Sequence, residues 1–365
     1  MFKNFTLQFL SIRGQSHISP LINQNFNIEI ISSSFNKFFS PLILSNNHFS
    51  SKYSRIVFQN ALTSFLYLDS NQFYGTIYSS LPIPQKSEYF DCGFINISYG
   101  ATYFIKYSQS SGSFKMERCS FFRVKSTVTL AATVIVEPCN VVSYKANCFQ
   151  DVFAHVITFS SGWSNQNINS LYCSQVTLQD SGYGHTFLIL GKSSYTCSEV
   201  NTSLNQHSGG QWYHNSILAS AFTQYHTIYK NNNTYSYGSN VKAPINIRYI
   251  NIIENQNQMC LLYSHNSYSA IATLHYVYVS KLCVLYNSFV TLKGTNIFLD
   301  SSFSTTSIPS ICTIINPFND HDLSFVPQTL CFIDYNPVHA SKSMGIGRNY
   351  WIFLSFHVHL IAGSF

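Results

Sequence analysis

Charge is what this sequence has least of: Asp, Glu, Lys and Arg make up 9% of its 365 residues, against about a quarter in an ordinary soluble domain. Such a surface is solvated by amides and hydroxyls, and Asn and Ser are plentiful throughout. Ala, Glu and Lys are scarce, which removes the material of long stable helices and leaves residues that favour strands and turns. No helix-length periodicity separates the apolar runs, so a βαβ fold is excluded. Asn-Gly and Asp-Gly dipeptides are absent, and with them the best marker of the two-residue hairpin turn. No C-x-x-C pair occurs, which argues against a zinc site. No Gly-x-Ser-x-Gly elbow places a serine nucleophile. The formal charge of +6 reflects 14 acids against 20 Lys and Arg. No basic run is denser than Lys115, Arg118, Arg123 and Lys125, so the stripe that nucleic acid binding needs is missing.

What the chain does have is a beat. Cys92, Cys119, Cys148, Cys173 and Cys197 lie 27, 29, 25 and 24 residues apart, each inside a short apolar or aromatic run. After a gap the same beat continues with aliphatics in place of sulfur, at Ile250, Val277 and Ile297. Strands of four to six residues alternate with Asn, Ser and Gly clusters. A spacing that wobbles around the mid-twenties fits a coil whose strands keep register while its loops vary. The expected fold is all-β, a right-handed parallel β-helix (solenoid) of about nine to eleven coils. These eight residues are expected to form one structural core ladder of packing sites, as buried thiols or as disulfides between rungs. Asn is expected at the turns, where it tolerates left-handed backbone.

The expected organisation is an N-terminal cap with irregular first coils over 1–50, the β-helix over 51–335 and an atypical hydrophobic tail over 336–365. The N-terminus lacks the unbroken apolar core of a signal peptide. Tyr350 to Phe365 is strongly apolar but spans only 16 residues and carries His357 and His359, which is short for a membrane helix. A packed terminal element is the first reading and a truncated anchor the second. Residues 201–240 read as an irregular coil with projecting loops. Candidate glycosylation sites are Asn232, Asn96 and Asn201, in Asn-x-Ser/Thr triplets.

The run Phe90-Asp91-Cys92-Gly93-Phe94-Ile95-Asn96-Ile97-Ser98 resembles the right-handed parallel β-helix repeat proteins that parasitic protists carry in large families, over roughly residues 50 to 335. That resemblance implies a role at the cell surface or outside the cell, in adhesion, with carbohydrate or a cell-surface protein as partner. The expected function is therefore a non-enzymatic binding or adhesion module without a cofactor or metal. The alternative is a polysaccharide-active, pectate-lyase-like lyase or hydrolase, which needs clustered carboxylates on one face. Its weak catalytic candidates are Asp320, Asp322 and His321, and Gly184-His185 stands in the wrong order relative to them. A third reading is a truncated paralogue without function.

Overall fold

The structure, a computed structural model, describes residues 4–315 except 9, 14–26, 38–42, 46–49, 62–65, 69–85, 100–102, 128–131, 162–167, 180, 191–193, 208–209, 218–220, 242–244, 266–270, 281–282, 285–287, 294, 300–301 and 304–311. Asp320, His321, Asp322 and the tail 336–365 lie outside the described residues. Met1–Ile333 forms one compact unit and Asp334–Phe365 a second.

The described chain is a parallel β-solenoid, with strands alone among the described elements. Asn4–Gln8 pairs with Asn27–Ile31, that strand with Ser51–Ser54, and that with Lys86–Phe90. The same wall continues through 113–117, 141–145, 170–174, 194–198, 221–224, 245–248, 271–275 and 295–299 to Cys312–Ile315. A second wall stacks 57–59, 93–95, 120–122, 148–150, 177–179, 201–203, 227–229 and 251–253. Pairing is thus already established in residues 4–36, and described strands remain paired within 201–240. Register shifts between Asn215 and Ile217 and between Asn233 and Tyr235 fall in the stretch expected to be irregular, and 208–209 and 218–220 lie outside the described residues.

Between these two walls the chain turns at residues with φ between 49° and 61°. One corner is formed by Ser32, Arg55, Asp91, Arg118, Ala146, Glu199, Tyr225, Tyr249 and Tyr276. The next, five residues later in each coil, is formed by Lys37, Asn60, Asn96, Arg123, Asp151, Leu204, Lys230 and Glu254. Every described non-glycine residue of positive φ belongs to one of these two columns. The second wall is the short strand held between them.

Inward residues stack in columns. Phe35, Phe58, Phe94, Phe121 and Phe149 are fully buried in one, with ring centroids 4.7 Å apart for Phe94–Phe121 and 4.5 Å for Phe121–Phe149. Beyond the second corner a column reads Ala61, Ile97, Val124, Val152, Ser181, Asn205, Asn231, Asn255. Here asparagine is interior. The Asn231 Oδ1 accepts the Asn205 N–H at 2.9 Å, its Nδ2 donates to the Thr202 carbonyl at 3.0 Å, and its own N–H donates to the Asn255 Oδ1 at 2.9 Å. The expectation that turns prefer Asn for its left-handed tolerance holds at Asn60 and Asn96. Elsewhere the left-handed positions carry Ser, Asp, Arg, Lys, Glu, Ala, Leu or Tyr, and after Ala146, Leu204, Lys230 and Glu254 an Asn stands one residue on, bonding the coils together.

The Asn231→Ala variant is expected to lose about 2–4 kcal/mol, because it strands a buried N–H and a buried carbonyl. Urea denaturation measures this, and a loss below about 0.5 kcal/mol rejects the ladder as a stabilising element.

Candidate functional site

The eight residues expected in a single ladder are distributed over four columns. Cys92 and Cys119 share the inward column just after the first corner with Ile56, Asn147, Val176, Val200, His226, Ile250 and Val277. Cys173 and Cys197 lie on the other side of that corner, in the column of Tyr53, Tyr89, Met116, Tyr144, Thr223, Ile247 and Leu274. Cys148 pairs with Ser120 and Thr177, and Ile297 pairs with Thr273 and Thr313. Two inward positions three residues apart flank each corner, so a cysteine in either one keeps nearly the same beat. Column switching therefore accounts for part of the wobble that loop length was expected to explain. Cys92, Cys119, Cys139, Cys173 and Cys197 are free and buried, whereas Cys148 is in a disulfide.

His226 occupies a position that Val200 and Ile250 hold in adjacent coils, and its ring is hydrogen-bonded to the Cys197 backbone. Burial pushes its pKa down to about 3. No chemistry is assigned to it.

On the exterior, two features stand out among the described residues. The first is a stack of corner tyrosines: Tyr225 and Tyr249 have centroids 4.9 Å apart at 5°, and Tyr249 and Tyr276 4.9 Å apart at 7°. Their ring faces cover one another, so mid-stack they offer solvent edges and hydroxyls rather than open faces. His275 lies flat on Tyr276 at 4.0 Å.

The second is a groove of about 610 Å³ along the second corner, lined by Asn60, Asn96, Arg123, Asp151, Lys125 and Phe153 over a floor that includes Ala61 and Ile97. Four of these are successive corner residues, whose left-handed backbone points their side chains outward. Ser98, Lys125 and Phe153 form the next outward column. Arg123 lies over the Phe122 ring at 4.7 Å and has its Nε 3.6 Å from the Asp151 carboxylate. Lys125 is exposed and pairs with no carboxylate among the described residues. The Phe153 ring reaches over Gly182, where a Cβ would lie 2.8 Å from the Gln206 carbonyl oxygen and 3.1 Å from the ring. Glycine at that position is what lets the ring settle at the end of the groove.

Asn96 is exposed at a corner and Asn232 is exposed just after one, whereas Asn201 is only 7% exposed. No group of three or more His, Cys, Asp or Glu among the described residues is placed to hold a metal ion, and no described helix is long and apolar enough to cross a membrane. The groove residues come from coils 27 to 36 positions apart, with no local motif to mark them; each corner residue among them stands five positions after the first corner of its coil.

Two outcomes follow from these side chains. Unfolded His226 binds a proton below pH 6.5 and the folded residue does so only near 3, so its contribution to stability is complete above 6.5 and falls by about 1.4 kcal/mol per pH unit on acidification towards 3. His226→Val is expected to remove that slope in denaturation series from pH 7 to 4, and an unchanged slope rejects the assignment. Gly182→Ala is expected to destabilise by about 1–3 kcal/mol through the backbone clash, read as a lowered thermal midpoint. Comparison with protein-family models, curated proteins and solved structures finds no match for this chain.

Proposed function

We propose that this β-solenoid is a non-enzymatic binding module displayed at or outside the cell surface, and that the groove over Asn60 to Phe153 is its contact surface for a glycan. The observation that carries the reading is the composition of the groove: outward amides, two cations, one carboxylate and an aromatic ring in a concavity of ligand size. Amides and a guanidinium–carboxylate pair offer donors and acceptors to sugar hydroxyls, and a ring offers a surface to their C–H faces. The tyrosine stack was the other exterior candidate, but its faces are occupied by one another. Within this reading the coil is right-handed and makes nine to eleven turns over residues 50–335.

A glycan array probed with the soluble chain tests this. Retention of a subset of glycans is expected. Lys125→Ala and Asn96→Gly, the latter keeping a residue that accepts the left-handed backbone, are each expected to weaken it about tenfold, the loss of one hydrogen bond to a charged or polar partner, with an unchanged thermal midpoint. Tyr249→Asn is expected to bind as the parent does, since Asn accepts the left-handed backbone. Failure to retain any glycan, or retention that survives both groove variants and is lost with Tyr249→Asn, overturns the proposal. Capture of a defined cell-surface protein through the same groove residues replaces glycan with protein as the ligand.

A further inference from the structure

Buried thiols occur twice as neighbours across the coil boundary. Cys173 and Cys197 are direct partners in the parallel register. Cys92 and Cys119 hold equivalent positions in successive coils, since the Ser120 N–H bonds the Cys92 carbonyl and the Cys148 N–H bonds the Cys119 carbonyl. The Cys92 thiol is directed to the Phe90 and Tyr53 carbonyls at 3.3 and 3.6 Å and the Cys119 thiol to the Glu117 carbonyl at 3.5 Å, contacts that a disulfide would replace. Cys139 is the contrast. It is equally buried and free, and its thiol is likewise directed to carbonyls, those of Gly112 and Val141 at 3.2 and 3.3 Å, but its register neighbours are Gln109 and Ile168.

We propose that Cys92–Cys119 and Cys173–Cys197 are two redox modification sites, each able to close a disulfide that staples one coil to the next. Adjacent strands lie about 4.8 Å apart, inside the Cα separation of about 4.4–6.8 Å that a disulfide accepts and slightly beyond its Cβ range of about 3.5–4.5 Å. The two side chains must approach by a few tenths of an ångström. A bond formed under that demand is strained and readily reduced, which makes the staples reversible. The oxidant is a small-molecule disulfide such as oxidised glutathione. One cysteine thiolate attacks it, forming a mixed disulfide and releasing one reduced glutathione. The neighbouring thiolate then displaces the second, so two protein thiols become one S–S bond, two protons leave, and the electron pair passes to glutathione.

Access sets the rate. Burial raises the pKa of Cys119 and Cys197, so both are protonated at neutral pH while the coil is closed, and reaction proceeds when a coil opens or before it docks. Cys139 differs from the pairs only in having no cysteine across the boundary, so it reaches the mixed disulfide and stops.

The test is oxidation of the full chain with oxidised glutathione in a low, non-denaturing concentration of urea, followed by alkylation, digestion and mass mapping without reduction. Linked peptides joining Cys92 to Cys119 and Cys173 to Cys197 are expected, with Cys139 recovered alkylated or glutathionylated. The oxidised chain is expected to denature at higher urea concentration than the reduced one, and a dithiol to reverse both changes. Cys119→Ser is expected to abolish the first link and retain the second. Absence of both links, or cross-linking of Cys139 as readily as the four paired cysteines, overturns the proposal. Mapping of the parent chain decides this even if the variant fails to fold.

Discussion

Everything in this fold depends on a pair of left-handed corners held five residues apart. A non-glycine residue in that conformation costs about 1–2 kcal/mol, and each described coil that contains both corners bears the cost twice without using glycine. What holds the strain is the neighbouring coil. The N–H of Arg55 bonds the Phe90 carbonyl, that of Asp91 the Glu117 carbonyl, that of Arg118 the Lys145 carbonyl, and that of Ala146 the Ser174 carbonyl, all at 2.8–3.0 Å. The conformation that turns the chain is satisfied only when the next coil is in place. A single coil therefore has no stable form, and the energy of the solenoid resides in its interfaces.

The corners also fix which residues meet in the core, and the core changes character along the chain. The column of Phe58, Phe94, Phe121 and Phe149 passes to Thr202, Ile228 and Ile252, and the column of Tyr53, Tyr89 and Tyr144 passes to Cys173, Cys197, Thr223 and Ile247. The cysteines stand at that change, small enough to follow Tyr144 and apolar enough to precede the aliphatics of the later coils.

The repeat was legible because the Cys-x-Phe arc lies between the two corners, where coil geometry permits no insertion. Its register was less legible, because Cys173 and Val176, or Cys197 and Val200, both face inward on either side of one corner and either can carry the apolar signal. The corners themselves left no mark: Ser32, Arg55, Ala146 and Tyr249 share a backbone conformation that none of them prefers. Asn205, Asn231 and Asn255 looked like turn residues because asparagine is usually one, while a buried carboxamide bridging coils is a tertiary property invisible in composition. The groove was invisible for the same reason, since Asn60, Asn96, Arg123 and Asp151 become neighbours only through stacking.

Stacking finally accounts for the shortage of charge with which the sequence begins. In a parallel register a side chain on the outer face meets its equivalents about 4.8 Å above and below, a distance at which like charges repel by about 1 kcal/mol even in water. Charge is tolerable in such a column only if its sign alternates, as it does through Glu29, Lys52, Glu88 and Lys115. Lys52 lies 2.8 Å from Glu29, and the hydrogen bond and the charge of that carboxylate raise its pKa. Arg118 reaches back to Asp91 with 2.7 and 3.1 Å contacts in the same manner. Hydroxyls, amides and phenols carry no such restriction, and a solenoid face can repeat them without limit. Further along, the Glu29 column turns to uncharged residues, Ser143, Tyr172, Thr196, Phe222, Asn246, Thr273 and Ile297. The low charge is a consequence of repetition in register, which favours a neutral polar exterior wherever opposite signs are not placed in sequence.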